Sequence, residues 1–243
     1  MSTICWLAPS DGPDALPEPS LALDEPNGLL AAGGTLRPDW LLASYASGIF
    51  PWYEEGQPIL WWCPDPRAVL WPDDLRISRS LRRTLARNSF EVTADLAFDA
   101  VIDACAEPRR YTDSTWITAD MAAAYRRLHA LGWAHSFEAW QEGRLAGGLY
   151  GISIGRMFFG ESMFSRTADA SKVAFAGAVR YLKARGVALI DCQIQSGHLT
   201  RLGAVNMPRA EFLEHLKRYA KPAGTPGSWR QAFAAFVAAA RSA

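Results

Sequence analysis

The sequence has neither an excess of charge of one sign nor paired cysteines, and each absence excludes a class of protein. Lys+Arg and Asp+Glu both total 25, so any site for a polyanion must be a local patch. The four cysteines stand apart without a C-x-x-C pair, which argues against a zinc ribbon or a disulfide framework. We therefore expect a reducing, cytoplasmic environment.

Long hydrophobic runs are also missing. No run approaches the ~20 apolar residues of a membrane span, and the first residues lack a basic flank followed by an apolar stretch. Neither a membrane anchor nor a signal peptide is therefore expected. A chain of 243 residues, 49% of them hydrophobic, is long enough for one large or two modest globular domains.

Proline and tryptophan are concentrated in the first 72 residues, which hold eleven of the 15 prolines and six of the ten tryptophans. Because proline breaks helices and is excluded from central strands, we predict a loop-rich N-terminal domain held together by aromatic packing, with one helix at 38–47. Its tryptophans, including Trp52, are either core residues or a surface on which a nucleobase stacks. We place the boundary so that 1–65 form a small domain and 66–243 a larger one.

The larger domain mixes helical and strand periodicity and ends in a linker and a helix within 220–243. Helices are predicted at 78–88, 95–104, 118–131, 169–184, 198–202, 208–219 and 229–240, and strands at 134–141, 144–154, 157–164 and 187–193. This α+β pattern resembles the acyl-CoA N-acyltransferase (GNAT) fold, in which acyl donor and acceptor amine meet where the fourth and fifth strands separate. Residues 165–171 lack the glycines with which such enzymes hold the pyrophosphate of CoA, so CoA is not expected.

The predicted strand 187–193, VALIDCQ, carries a carboxylate and a carboxamide that packing does not require. Residues two apart in a strand share a face, so Asp191 and Gln193 are predicted to project side by side and to hold a reacting group. Alternatively, Asp191 lies at the exposed end of the strand and caps the turn before His198.

Glu161 is an acid among bulky apolar residues and requires a compensating cation. That cation belongs either to a substrate or to a salt bridge with Arg156, Arg166 or Lys172. Phe158 and Met163 beside it are either ordinary core or a pocket suited to Leu, Met or Phe side chains. A bulge at Gly160 would decide which of these residues share a face.

Three arginines repeat at helical spacing on the predicted helix 78–88, in a stretch without acidic residues. Like charges at this spacing repel one another, so the arrangement indicates either a solvated basic helix or a contact with a phosphate backbone. The three are Arg79, Arg83 and Arg87.

Short motifs in one fixed order carry a resemblance to a known family. They are GGTL at 33–36, GIFPW at 48–52, LWWCPDPRAV at 60–69, SRSLR at 78–82, TWI at 115–117, GESMFSR at 160–166, DASK at 169–172, IDCQ at 190–193, and HL at 198–199 with LGA at 202–204. Over residues 29–213 the chain resembles leucyl/phenylalanyl-tRNA–protein transferases. That family usually has threonine near Gln195 and serine in place of Arg201, and these departures leave the Asp-Cys-Gln core intact.

The resemblance implies a reaction. Leu or Phe, and less readily Met, would pass from aminoacyl-tRNA to the α-amino group of a protein beginning with Lys or Arg, which marks that protein for N-end-rule degradation. The aminoacyl ester is already activated, so no cofactor, metal or CoA is expected. The rival hypotheses are a peptidoglycan-type aminoacyl transferase, a non-catalytic tRNA-binding module and a CoA-dependent acetyltransferase.

The resemblance also implies residue roles. Gln193 would position the attacking amine, Asp191 or the terminal ribose hydroxyl of the tRNA would handle the proton, and Glu161 would offset a substrate cation. The other implied site residues are Phe158, Met163, Ile190 and Leu149 for the aminoacyl pocket, Trp52 and Trp116 for the terminal adenosine, and Arg79, Arg83 and Arg87 for the acceptor-stem phosphates.

Overall fold

The computed structural model describes residues 4–107, 117–221 and 226–242, and these residues form two β-sheets with helices packed against them. In chain order the elements are β1 (Cys5–Leu7), β2 (Leu29–Gly33), α1 (Pro38–Ala46), β3 (Phe50–Pro51), β4 (Leu60–Trp62), β5 (Arg67–Leu70), α2 (Arg79–Ala86), β6 (Glu91–Ala94), α3 (Phe98–Ala106), α4 (Ala119–Ala130), β7 (Ala134–Gln141), β8 (Arg144–Ile154), β9 (Met157–Ser165), α5 (Ala170–Ala184), β10 (Leu189–Gln193), α6 (Gly197–Arg201), β11 (Val205–Met207), α7 (Arg209–Tyr219) and α8 (Arg230–Ser242). The expected α+β class is confirmed. Trp116 and part of the expected linker, 222–225, lie outside the described residues.

The N-terminal segment contains a four-stranded sheet in the order β1-β2-β4-β3. The expectation of a loop-rich segment without central strands is wrong, because β2 and β4 are central strands that fit between the prolines and contain none themselves. Pro51 lies in β3, an edge strand of this sheet. The predicted aromatic packing is present, since the Trp40 and Trp61 ring centroids lie 5.9 Å apart and the Trp61 indole N–H donates to the Gly33 carbonyl at 2.9 Å.

The larger sheet has the order β11-β5-β10-β9-β8-β7-β6. The hairpin of β7 and β8 turns at Glu142 and Gly143, which both have positive φ, as a tight two-residue turn requires. After the crossover through α5, β10 pairs in parallel with β9 over only three residues, ending at Asp191 opposite Phe159. Beyond that point β9 stays paired with β8 and β10 stays paired with β5, but β9 and β10 no longer pair with each other, as the fold resemblance predicts.

Two hydrophobic clusters lie against this sheet. One joins the N-terminal segment to α3 and α4 through residues such as Tyr45, Tyr125 and Phe159, and the other packs around α5 and α8. Hydrophobic contacts therefore cross the predicted boundary at residue 65, and the division into two domains stays a prediction. Within the described ranges, no helix is long and apolar enough to cross a bilayer.

The C-terminal helix α8 is anchored by a buried polar cluster at its start. Trp229 stacks on His135 with ring centroids 3.5 Å apart, and its backbone N–H donates to Asp95 at 2.6 Å. Asp95 itself has a left-handed φ of 53°, so the helix predicted to start there begins instead at Phe98. The cluster supports the prediction that α8 serves packing.

Candidate active site

A cavity of about 720 Å³ is lined by residues of both β9 and β10, the two strands that separate. The four residues predicted for the aminoacyl pocket all line it, together with Glu161. They are Leu149, Phe158, Met163 and Ile190. Phe175 and Leu199 add further apolar surface, while Ser171 and His198 contribute polar groups. A mostly apolar wall with a few convergent polar groups is typical of a small-ligand site.

Glu161 reaches this cavity because a bulge interrupts the pairing of β8 with β9. Tyr150 lies opposite Ser162 and Gly151 lies opposite Gly160, so Glu161 is the extra residue. Gly151 permits the close approach of β9, since a Cβ there would overlap the Phe159 carbonyl oxygen. The sequence alone did not decide whether a bulge forms at Gly160. A bulge is present, and its extra residue is Glu161, one position after Gly160.

The carboxylate of Glu161 is held by three neutral donors. Its Oε1 accepts hydrogen bonds from the Tyr45 hydroxyl at 2.6 Å and from Gln193 Nε2 at 2.8 Å. Its Oε2 accepts a hydrogen bond from the Tyr125 hydroxyl at 2.8 Å. No sequence pattern indicates the two tyrosines, since Tyr45 and Tyr125 lie 116 and 36 positions from Glu161 along the chain.

The predicted alternative of a salt bridge to Glu161 is wrong. Arg166 pairs with Glu107 at 2.5 Å, and Lys172 pairs with Asp169 at 2.7 Å. The third candidate, Arg156, donates to a backbone carbonyl at 2.9 Å.

Loss of hydration raises the pKa of Glu161 to about 7, and its three hydrogen-bond donors offset only part of this effect. Burial, followed by the charge of Glu161, raises the pKa values of Tyr45, Tyr125 and Tyr150 well above the ordinary phenol value. The phenols therefore stay protonated as hydrogen-bond donors, while the carboxyl group exchanges a proton near neutral pH.

Asp191 does not project beside Gln193, and this part of the prediction is wrong. Its carboxylate forms a two-point ion pair with Arg67, with Nε–Oδ1 at 2.8 Å and Nη2–Oδ2 at 2.7 Å, and both side chains are 0% exposed. The Arg67 guanidinium lies between the rings of Phe50 and Phe212, 4.7 Å from each centroid. Because Asp191 is fully buried, the alternative of an exposed cap is also wrong.

The strand leaves its regular path between Asp191 and Gln193, where the register with β5 shifts and Gln193 takes a φ of 61°. Asp191 Oδ1 accepts the backbone N–H of Gln193 at 2.8 Å and so supports this left-handed conformation. The turn directs the carboxamide towards Glu161. A chain of contacts thus runs from Arg67 through Asp191 and Gln193 to Glu161, and the sequence prediction had missed Arg67.

Of the residues predicted to bind tRNA, Trp52 and the three arginines do not line the cavity. Trp52 is 40% exposed and packs against Trp62, with ring centroids 5.5 Å apart. The Trp62 indole N–H donates to the Trp52 carbonyl at 2.7 Å, so the two indoles form one aromatic surface. Trp116, the other predicted stacking residue, belongs to the part of the chain that the structure does not describe.

The three predicted arginines are exposed: Arg79 and Arg83 lie on α2, and Arg87 is its C-cap residue. Ser78 caps the start of this helix by accepting the Leu81 backbone N–H at 3.2 Å. Helix α2 is tied to the start of α5 by Thr84, whose hydroxyl donates to Asp169 at 3.1 Å. The basic surface of Arg79, Arg83 and Arg87 is therefore connected to the helix that contributes Ser171 to the cavity. Within the described ranges, no three His, Cys, Asp or Glu side chains are placed to hold a metal ion.

Comparison with known proteins gives a family for this chain. The profile described as leucyl/phenylalanyl-tRNA protein transferase matches residues 69–217, and the profile of the N-terminal domain of that transferase matches residues 34–65. A relative from Methylococcus capsulatus is 55% identical over 92% of this chain and 95% of its own length. Relatives from Aromatoleum aromaticum and Pseudomonas aeruginosa are 57% and 56% identical over 93% and 89% of this chain, and over 94% and 95% of their own lengths. All three are named leucyl/phenylalanyl-tRNA–protein transferase.

Similar solved structures are more distant. L-PGS from Bacillus licheniformis aligns with a TM-score of 0.39 and 10% identity, over 69% of this chain and 53% of its own. A GCN5-related N-acetyltransferase from Kribbella flavida aligns with a TM-score of 0.37 and 13% identity, over 71% of this chain and 61% of its own. We infer nothing about function from such low scores. On the sequence matches, the chain belongs to the leucyl/phenylalanyl-tRNA–protein transferase family of aminoacyltransferases.

Proposed function

We propose that this enzyme transfers Leu or Phe, and less readily Met, from aminoacyl-tRNA to the α-amino group of proteins that begin with Lys or Arg. The new N-terminal residue would mark those proteins for degradation by the N-end rule in the cytoplasm, where tRNA is charged. The observation that carries this proposal is the apolar cavity that adjoins Glu161, a carboxyl group whose pKa lies near neutral pH.

The apolar wall of the cavity receives the side chain of the transferred residue. Leu149, Phe158 and Ile190 provide buried surface, and the flexible thioether of Met163 adapts to a branched chain or to a ring. Unbranched and γ-branched side chains enter such a pocket more easily than the β-branched Ile and Val, whose χ1 angles are restricted. We therefore assign these four residues to donor recognition.

Glu161 accepts the proton that the attacking amine must lose. Above about pH 7 its carboxylate is ionised, and below that pH it holds its own proton and cannot accept another. The Gln193 carboxamide donates to Glu161 through Nε2, so its oxygen can accept a hydrogen bond from the amine. Asp191 is engaged by Arg67, and we assign it the task of holding Gln193 rather than of moving a proton.

The tRNA is held outside the cavity in this proposal. Arg79, Arg83 and Arg87 contact acceptor-stem phosphates without reading sequence, and Trp52 and Trp116 stack on the terminal adenosine. Electrostatic contacts of this kind release counterions, so binding should weaken steeply as salt rises. The exposure of the three arginines and of Trp52 supports these assignments.

The experiment that tests the function is transfer of radiolabelled Leu from Leu-tRNA to a peptide beginning with Arg. A peptide of the same sequence beginning with Ala is the control, and a lipid-linked cell-wall precursor tests the rival acceptor. We expect label on the Arg peptide alone. Binding of Leu-tRNA without transfer to any acceptor would contradict the proposal and favour a tRNA-binding module.

A further inference from the structure

Tyr150 has a buried hydroxyl group that lacks a partner. The residue is 0% exposed, it lines the cavity, and its hydroxyl makes no hydrogen bond with the described residues. An unpaired buried hydroxyl destabilises a protein, because the group has lost its water without gaining a replacement. Such a group in a cavity wall calls for a functional explanation.

The position of this hydroxyl is fixed by its surroundings. The Tyr150 ring makes edge contacts with Phe98 and Tyr125, with centroids 5.9 Å and 5.4 Å away. Tyr125 and Tyr45 both donate to Glu161, so two phenols of the cluster are already engaged. Burial and the charge of Glu161 keep the pKa of Tyr150 well above the ordinary value, so its hydroxyl carries its proton.

We propose that the Tyr150 hydroxyl donates a hydrogen bond to the carbonyl oxygen of the aminoacyl ester and stabilises the oxyanion that forms there. The inference rests on the proposed function and adds the group that stabilises the negative charge. Acyl transfer moves charge onto this oxygen, and a fixed donor on a fully buried side chain stabilises that charge strongly. Tyr150 and Glu161 both line the cavity, and Tyr125, which donates to Glu161, has its ring centroid 5.4 Å from that of Tyr150, so amine and carbonyl can occupy adjacent positions.

The step balances as follows. The lone pair of the amine nitrogen forms a bond to the carbonyl carbon, and the π electron pair moves to the oxygen that faces Tyr150. Glu161 takes one proton from the nitrogen. The C=O bond then re-forms, the ester C–O bond breaks, and Glu161 returns the proton to the departing ribose oxygen. Tyr150 keeps its proton throughout.

The test is Tyr150→Phe in single-turnover transfer of Leu to an Arg peptide. Removing one oxyanion donor lowers the rate of the chemical step by about 100-fold or more, and we expect less than about a twofold change in the affinity for Leu-tRNA or in the KM for peptide. The melting temperature should stay the same or rise, because the variant loses an unpaired hydroxyl. This pairing of a slow reaction with an unimpaired fold separates a catalytic role from a structural one.

Two further variants serve as controls. Tyr181→Phe makes the same chemical change at a buried tyrosine that packs against Phe137 and Trp229, and it should leave transfer unchanged. Introduction of 3-fluorotyrosine at position 150 keeps the hydroxyl and should keep most of the activity.

A rate for Tyr150→Phe within about threefold of the wild type would overturn the assignment, since removal of a real oxyanion donor costs far more. A loss confined to substrate affinity, or matched by Tyr181→Phe, would overturn it equally. An inactive wild-type protein would instead overturn the proposed function itself.

Discussion

Replacement of Arg67 by methionine should both destabilise the protein and misplace the carboxamide of Gln193. Methionine keeps the apolar volume between Phe50 and Phe212 but removes both hydrogen bonds to Asp191. The carboxylate is then left buried at 0% exposure with the Gln193 N–H as its remaining donor.

The magnitude follows from the burial of the pair. Removing one partner of a fully buried ion pair costs about 3–5 kcal/mol, because the remaining charge has neither water nor counter-charge. That is a large part of the about 5–15 kcal/mol by which a typical domain is stable. We therefore expect a fall of this size in the free energy of unfolding of Arg67→Met.

A double variant separates stability from positioning. Arg67→Met with Asp191→Val exchanges the pair for apolar residues, which is often neutral in stability. We expect the free energy of unfolding to recover most of the loss, while transfer stays impaired because the Gln193 N–H has lost the carboxylate that supports its left-handed conformation.

The assay is urea unfolding of the wild type and the variants, paired with single-turnover transfer of Leu. A loss below about 1 kcal/mol for Arg67→Met would refute the reasoning on burial. Recovery of activity together with stability in the double variant would refute the positioning role of Asp191.

Two further predictions concern the tRNA surface and the bulge. Replacing Arg79, Arg83 and Arg87 together by alanine should weaken Leu-tRNA binding. It should also reduce the slope of the logarithm of the binding constant against the logarithm of salt concentration by about 2 to 3. An unchanged slope in a filter-binding titration would contradict the phosphate contacts. Gly151→Ala should destabilise the protein by about 1–3 kcal/mol, because the new Cβ would lie 2.6 Å from the Phe158 ring and overlap the Phe159 carbonyl oxygen. Thermal unfolding measures this loss, and an unchanged melting temperature would contradict the close approach of the two strands.

Much of the fold could be predicted from periodicity and turn chemistry. Strand β7 was predicted from its alternating pattern, and β8 and β9 from the apolar runs that the turns at Glu142-Gly143 and at Gly155 separate. Helix α5 ends before Gly186, as its sequence predicts. The strands β5, β6 and β11 were not predicted, since segments of three or four residues carry too little pattern. Their pairing is decided by tertiary contacts instead.

The candidate site was predictable only in part. The four pocket residues and Glu161 could be named because Phe158 and Met163 flank Glu161 in the sequence and the family resemblance implies a pocket there. The pairing of Arg67 with Asp191 joins residues 124 positions apart, and Tyr45 lies 116 positions from Glu161. Pattern rules do not specify such contacts. A signal was present, however, in the charged Arg67 that opens the buried strand RAVL, where only a paired arginine is tolerated.

The proposed transfer of a proton from the attacking amine to Glu161 is tested most directly by the pH dependence of single-turnover transfer. The rate should rise through about pH 7 as Glu161 ionises, on top of the rise that comes from the amine of the peptide itself. Glu161→Gln preserves the shape of the side chain but cannot accept a proton. We expect this variant to be slow at every pH, and its pH–rate profile to show only the inflection that comes from ionisation of the peptide amine. If the wild type and Glu161→Gln gave pH–rate profiles of identical shape, Glu161 would not be the group that accepts the proton.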